Sequence, residues 1–400
     1  MSLELSRKAL AVKPSSTLAI TAKANELKKM GMDIVSFTAG EPDFNTPAHI
    51  CMAAKRAIDD GFTKYTPASG INELKEAIVK KFHDFNKIDY TTDQIVVSNG
   101  GKHSLTNVFT AILNEGDEVI IPAPYWLSYP EIVKLAGGVP VIINSRKEDD
   151  YKVNRADLES VFTEKTKALI LNSPNNPTGM IYDREELQEI ADFAVEKDIY
   201  VVADEIYENL FYSREGHVSI ASLNDEIYKR TITVNGLAKS YAMTGWRIGY
   251  VGAPKEIAKV MSSVQSHQTS NPNSIAQKAA LEAIAGDQTC VREMSEEFDA
   301  RRMYIYKRIK ECKYLTAIEP KGAFYLFVDV NRVFGKKYKG RVIENTADLA
   351  DILVSDYLVV VIPCDDFGFP DHIRLSYAIS MKQIIKGMDR LMEFEDALED

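Results

Sequence analysis

The chain has 400 residues, 45% hydrophobic and 26% charged, which suits a globular protein with one large domain and room for a smaller one. A formal net charge of −10 argues against a general nucleic-acid surface, which is normally basic, but leaves room for a local cationic pocket. No apolar run approaches the ~18 residues that a membrane span needs, the first residues carry no export signal, and four scattered cysteines without a C-x-x-C pair point to a reducing cytoplasm rather than to a metal site or disulfide framework.

Residues 1–45 fit no regular series and are expected to join a smaller domain or to reach across a dimer. From about Gln94 to Gly252 short β-rich runs alternate with helical stretches: I-V-V-S (95–98), E-V-I-I-P (118–122), V-P-V-I-I (139–143), A-L-I-L-N (168–172), I-Y-V-V-A-D (199–204), T-I-T-V-N (231–235) and I-G-Y-V-G (248–252). They are nearly continuous apolar segments, as strands buried on both faces require. Asp183 to Lys197 reads as an amphipathic helix between two of them. The alternation predicts an α/β fold with a mostly parallel sheet covered by helices. After about Ser274 a long charged helix over Cys290 to Cys312 precedes strand signals at Ala323–Val328, Leu358–Ile362 and His372–Ser376, and a last helix spans Lys382 to Glu395. The expected division is an N-terminal segment over 1–45, a large domain over 46–280 and a small α+β domain over 281–400.

Six motifs carry chemistry. S-N-G-G-K-H-S-L (98–105) is a strand, two glycines and a helix start. Backbone N–H groups at Gly100 and Gly101 suit a phosphate, although a tight turn needs nothing more. Lys102 sits where a second negative group can be reached, and His103 is either a stacking ring or an ordinary core or surface histidine. Trp126, in P-A-P-Y-W-L-S-Y-P, is one of two tryptophans and is suited to stack on a planar ligand or to fill the core. N-S-P-N-N-P-T-G (172–179) is a rigid turn after a buried strand, and Asn176 there offers amide hydrogen bonds. Asp204 ends a parallel strand, where α/β proteins bind ligands, or else caps a following helix; Tyr207 stands three residues on.

Lys239 lies in V-N-G-L-A-K-S-Y-A-M-T-G-W-R-I-G-Y, where an apolar strand runs into a loop of small residues. An imine-forming lysine needs such a strand end and a lowered ammonium pKa, and Gly236 and Ala238 leave room for a bulky ring. Arg247, eight positions on, can hold a phosphate as a charged fork. Arg374, in D-H-I-R-L-S-Y-A, is a charge in mid-strand, suited to bidentate binding of a carboxylate or to a structural ion pair.

In order, K-P-S-S-T-L, A-G-E-P-D-F, K-Y-T-P, N-N-P-T-G, A-D-E-I-Y, G-x-A-K, G-W-R-I-G-Y and R-L-S-Y-A resemble the fold-type I pyridoxal-phosphate (PLP) aminotransferases over essentially the whole chain. Within them the likeness is to the bacterial aspartate aminotransferase subgroup, which includes prephenate-using members. The resemblance implies that Lys239 forms the internal imine and moves the proton. Asp204 would pair with the pyridine nitrogen, Tyr207 and Asn176 with the ring oxygen, and Trp126 with the ring face. Arg247 and the Gly100–Gly101–Lys102 turn would bind phosphate, with Tyr65 contributing from the second subunit of a homodimer. Arg374 would grip the substrate α-carboxylate with help from Asn176, Trp126 and the Gly40 backbone. Lys102 and Thr17 would recognise the remote carboxylate of a dicarboxylic acid, and Lys13 occupies the position associated with prephenate, though it is equally at home as a solvated lysine. The implied reaction is L-aspartate with 2-oxoglutarate, giving oxaloacetate and L-glutamate; aspartate/prephenate, aromatic and alanine transamination are the alternatives. No metal, nucleic acid or membrane is expected. One departure stands out: relatives place a serine one or three residues before the lysine to hold phosphate, and here those positions are Ala238 and Gly236.

Overall fold

The computed structural model describes residues 4–213 and 216–399, so the first three residues of the N-terminal segment and the last residue of the chain lie outside it. After β1 (Val35–Ser36) come seven strands, β2 (Ile95–Ser98), β3 (Glu118–Ala123), β4 (Val139–Asn144), β5 (Thr166–Asn172), β6 (Tyr200–Asp204), β7 (Thr231–Gly236) and β8 (Gly249–Gly252). They form one sheet in the order β2-β8-β7-β6-β5-β3-β4. Only β8 runs against its neighbours; the other six point the same way. Each apolar run of the sequence is a strand, with ends moved by two residues at most.

The run at 139–143 differs from expectation in its surroundings. Only Ile143 of β4 is buried, because β4 is an edge strand paired to β3 alone. Pro140 fits there, since an edge strand can lack one ladder N–H. The helix Arg184–Glu196 begins at Asp183, whose carboxylate accepts from Glu185 N and Glu186 N while Glu186 reaches back to Asp183 N. Leu187, Ile190, Ala191, Phe193 and Ala194 on its inner face pack against β5 and β6 residues such as Leu169 and Val201.

A second, antiparallel sheet has the order β14-β15-β10-β9, built from β9 (Thr316–Ala317), β10 (Tyr325–Asp329), β14 (Ile362–Pro363) and β15 (His372–Ser376). Between them lie the hairpin β11 (Lys337–Tyr338) and β12 (Arg341–Val342), and β13 (Val359–Val360). Helices Thr289–Ile309 and Met381–Asp396 cover this sheet through Phe298, Ile305, Leu391 and Phe394. The apolar run at 358–362 therefore serves two sheets. Val359 and Val360 pair in parallel with Val35 and Ser36 of β1, and Ile362 and Pro363 pair with β15. Ser376 N also donates to Phe37 O at 2.9 Å, so the segment around β1 is built into the same core as β15.

Register fixes what meets at the carboxyl rim of the large sheet. Asn172 at the end of β5 lies beside Asp204 at the end of β6, and Gly236 at the end of β7 lies beside Gly249 at the start of β8. Gly249 in turn pairs with Ser98 at the end of β2. Such a rim is where open α/β sheets bind ligands.

Candidate active site

Lys239 follows β7 in the loop of small residues and is half-buried. Its Nζ donates to Gly40 O at 2.5 Å and sits 5.9 Å from the Tyr207 ring centre and 5.8 Å from that of Phe324. Burial lowers its pKa to about 8; Glu41 opposes the shift, whereas Arg374 and Arg247 add to it. About a tenth of the amine is then unprotonated at pH 7, far more than for an ordinary lysine. Gly40 is held there by its own loop. Thr244 donates to Glu41 at 2.6 Å, Thr46 donates to Ala242 O at 2.7 Å, and Arg301 of helix Thr289–Ile309 grips Asp43 at 2.7 Å.

Asp204 is 5% exposed and has no ion-pair partner among the described residues. Its Oδ2 accepts from Tyr129 Oη at 2.7 Å and its Oδ1 from Ile206 N at 3.2 Å. Burial raises its pKa to about 6 against those two donors. Residues 205–213 form no helix, so Asp204 is not a helix cap. Asn172 organises its neighbours: its Nδ2 donates to Asp204 O at 2.9 Å, and its Oδ1 accepts from Asn176 N at 3.0 Å. The Tyr207 hydroxyl meets that of Tyr325 at 3.0 Å, and burial pushes its pKa well above 10.

Gly100 has φ 90° and precedes helix Gly101–Ile112. That helix start lies directly on β8: a Cβ on Gly249 would come within 2.4 Å of Gly101 N. The Arg247 guanidinium reaches the same turn, 2.5 Å from where a Cβ on Gly100 would stand, while Arg247 Nη1 donates to Thr244 O at 2.9 Å. Gly100 N is already spent on Ser98 O at 2.8 Å, so the free backbone donors are those of the first helical turn from Gly101 onward; with the exposed guanidinium they make an anion cradle without the missing serines. Lys102 Nζ lies 4.8 Å over the Trp126 ring, and its pKa is lowered by burial and by Arg247. His103 is taken up locally: its Nδ1 accepts from Asn99 N at 3.2 Å and its Nε2 contacts Gln268 at 3.4 Å.

Arg374 is 2% exposed on β15. It donates to Asn176 Oδ1 at 2.8 Å and to Thr38 O at 3.4 Å, stacks 4.3 Å from the Tyr325 ring centre, and leaves Nε without a partner. Among the described residues Arg374, Lys239, Arg247 and Lys102 form no ion pair, which rules out the structural pairing considered for Arg374. Thr17 lies on helix Ser16–Lys29 with its Oγ1 buried and unpartnered, and Thr21 on the same helix reaches Thr38 at 3.2 Å. Lys13 is exposed, but its backbone N is fastened to Glu131 at 3.1 Å on the helix that follows Trp126. Tyr65 stands apart, 90% exposed.

The structure thus links Lys239, Asp204, Tyr207, Asn176, Arg247, Gly100, Gly101, Lys102, Trp126, Gly40 and Arg374 around one rim, with Thr17 and Lys13 on segments tied to its edge. Sequence reasoning missed Tyr129, Tyr325 and Thr38, and left Asn172 unassigned although it opens the N-S-P-N-N-P-T-G turn. The cluster of Glu205, Glu208 and His217 lies close by. Its oxygens already accept from Asn86 and Ser219 and pair with Lys81 and His217, so it is a satisfied polar network. An unpaired buried anion at Asp204 facing a group of unpaired cations fits a ligand with a protonated ring nitrogen and anionic ends, which is the charge pattern of PLP with a carboxylate substrate.

The family model described as aminotransferase class I and II matches residues 32–391. An aspartate aminotransferase of Bacillus sp. (strain YM-2) is 48% identical over 95% of this chain and 96% of its own length. A probable aspartate/prephenate aminotransferase of Aquifex aeolicus is 45% identical over 95% of each. Among solved structures, the aspartate aminotransferase from Rhizobium meliloti superposes with a TM-score of 0.96 at 37% identity over 100% of both chains. That of Thermus thermophilus with maleate gives 0.92 at 42% identity over 98% of this chain and 100% of its own.

Proposed function

Because the chain belongs to the class I and II aminotransferases, a family of PLP-dependent transaminases acting on amino acids and 2-oxo acids, we propose that it moves the amino group of L-aspartate to 2-oxoglutarate, giving oxaloacetate and L-glutamate. The observation that carries this reading is Arg374, a buried guanidinium with no acidic partner among the described residues, set beside the Asn176 amide. A carboxylate bound there supplies the missing charge in bidentate form. Lys102, also unpaired and resting on Trp126, supports a second carboxylate and hence a dicarboxylic substrate.

Gly100, Gly101 and Arg247 would hold the phosphate of PLP, Asp204 its ring nitrogen, Asn176 and Tyr207 its ring oxygen, and Lys239 its reactive carbon. When bound, PLP supplies an electrophilic carbon and a ring that accepts the electron pair left behind when the substrate α-proton departs. Arg374 orients the substrate so that this bond faces Lys239. Lys239 Nζ, released when the substrate amine takes its place and already low in pKa, would take the α-proton and deliver it to the cofactor's reactive carbon; water would then free the 2-oxo acid and leave the amino group behind. Asp204, as an anion, would hold the proton on the ring nitrogen. Arg374 would serve the amino donor and then the 2-oxo acid in turn, and because the amino group stays on the cofactor between the two halves, ping-pong kinetics are expected.

Tyr65, almost fully exposed on a single chain, supports a homodimer in which it reaches the second subunit's phosphate site. Four free cysteines and the absence of a helix long and apolar enough to cross a membrane among the described residues support a cytoplasmic home. A second reading, use of prephenate as amino acceptor beside the aspartate reaction, is favoured by Lys13, whose exposed ammonium stands on a segment fastened to the helix after Trp126. The test is a panel of aspartate, phenylalanine and alanine as donors against 2-oxoglutarate and prephenate, in wild type and Lys13→Ala. Aspartate is expected to give the highest kcat/KM, and Lys13→Ala to reduce prephenate use selectively; a preference for alanine contradicts the dicarboxylate reading.

A further inference from the structure

Tyr129 has no part in the scheme above, yet it occupies a telling place. It lies in the first turn of helix Ser128–Leu135 and is 2% exposed. Most of its ring is surrounded by the apolar core around Ile121, Ile170 and Val202. A tyrosine in such a core needs a partner for its hydroxyl, and the partner here is Asp204 Oδ2 at 2.7 Å. Among the described residues the carboxylate has one other donor, Ile206 N at 3.2 Å. Its charge thus rests on a phenol and a single backbone amide. The same ring meets Trp126 edge to face, centres 5.4 Å apart at 87°.

We propose that Tyr129 is a positioning residue for the amino transfer: its hydroxyl holds Asp204 as an oriented anion for the ring nitrogen of PLP, while its ring edge sets the plane of Trp126. One side chain would then register the nitrogen anchor and the stacking face against each other. Tyrosine suits the task because its buried hydroxyl keeps its proton at every working pH and so always donates. The inference rests on the reading of Asp204 and Trp126 given above.

The competing explanation is that Asp204 merely satisfies a core tyrosine. A double-mutant cycle separates the two. Tyr129→Phe keeps the ring and its contact with Trp126 and removes only the hydroxyl. The dissociation constant for PLP is measured by equilibrium dialysis in wild type, Tyr129→Phe, Asp204→Asn and the double variant, with a circular-dichroism melt of each as a folding control. The pH titration of the bound cofactor's visible band is recorded for wild type and Tyr129→Phe. Tyr129→Phe is expected to weaken PLP binding about tenfold, as loss of a hydrogen bond to a charged group does, and to displace the pH titration. It should lower kcat about as much, with KM for aspartate within about twofold. In the Asp204→Asn background the same change should alter PLP affinity less than about twofold. Wild-type affinity and titration in Tyr129→Phe, or an equal loss in both backgrounds, overturns the proposal. Failure of the wild-type chain to bind PLP would instead overturn the functional reading on which it rests.

Discussion

Lys239 and Asp204 are pushed by the same burial in opposite directions along the pH scale. Lys239 falls to about 8, because its charged form is the one that burial disfavours. Capture of PLP by cofactor-free protein should therefore quicken as pH rises through about 8 and level off above it. Stopped-flow absorbance would show this, and a rise only above pH 10 would contradict it. Asp204 rises to about 6 from an unfolded value near 3.8. A carboxyl with a raised folded pKa favours folding below about pH 4, and that benefit is lost as pH rises through about 6. At pH 7 the cofactor-free fold thus carries a buried charge without a counter-ion. Asp204→Asn should raise its stability by about 1–3 kcal/mol at pH 7, with the gain vanishing near pH 4. Denaturant melts at the two pH values check this, and a loss of stability at pH 7 would count against it. The same substitution should weaken PLP binding, so that stability and function diverge at one residue.

At the scale of elements, the site depends on how closely helix Gly101–Ile112 sits on β8. Gly249→Ala would drive a methyl into the Gly101 amide, where 2.4 Å is available. Overpacking of this kind costs about 1–3 kcal/mol, and the displaced helix start should lose phosphate affinity as well. A drop in both melting temperature and PLP affinity is expected, whereas an unchanged affinity would mean that the helix start holds no phosphate. Arg374→Leu probes β15. With no acidic partner to strand, it should leave the melting temperature nearly intact but raise KM for aspartate about a hundredfold, equivalent to about 3 kcal/mol. The strands were legible in the sequence because seven apolar runs each had to find a place in a sheet, six of them largely buried on both faces and β4 left mostly open at an edge. The Lys239, Asp204 and Arg374 positions were legible because a charge at a strand end or in mid-strand demands a reason. Tyr129, Asn172 and Thr38 were not, because their chemistry arises from register and from contacts between distant segments. The edge position of β4 and the division of 358–362 between two sheets likewise follow from pairing, which no local pattern encodes.

Across the whole molecule, a protein of net charge −10 gathers four cations without ion-pair partners among the described residues at one rim. These come from both sheets, with Arg374 on β15 and the others beside β2, β7 and β8 of the large sheet. A substrate held by these cations would touch elements of both sheets, and salt should weaken its binding through screening. If Tyr65 completes a second subunit's phosphate site, Tyr65→Phe should weaken PLP binding several-fold without changing the mass seen by analytical ultracentrifugation, which is expected to be that of a dimer. A monomer with full activity would refute the shared site. The most direct test of the account as a whole is to reduce the PLP-loaded protein with borohydride and map the modified peptide by mass spectrometry. One phosphopyridoxyl group per chain, on Lys239, is expected; a label on Lys102 or another lysine, or no stable label, would contradict the role given to Lys239.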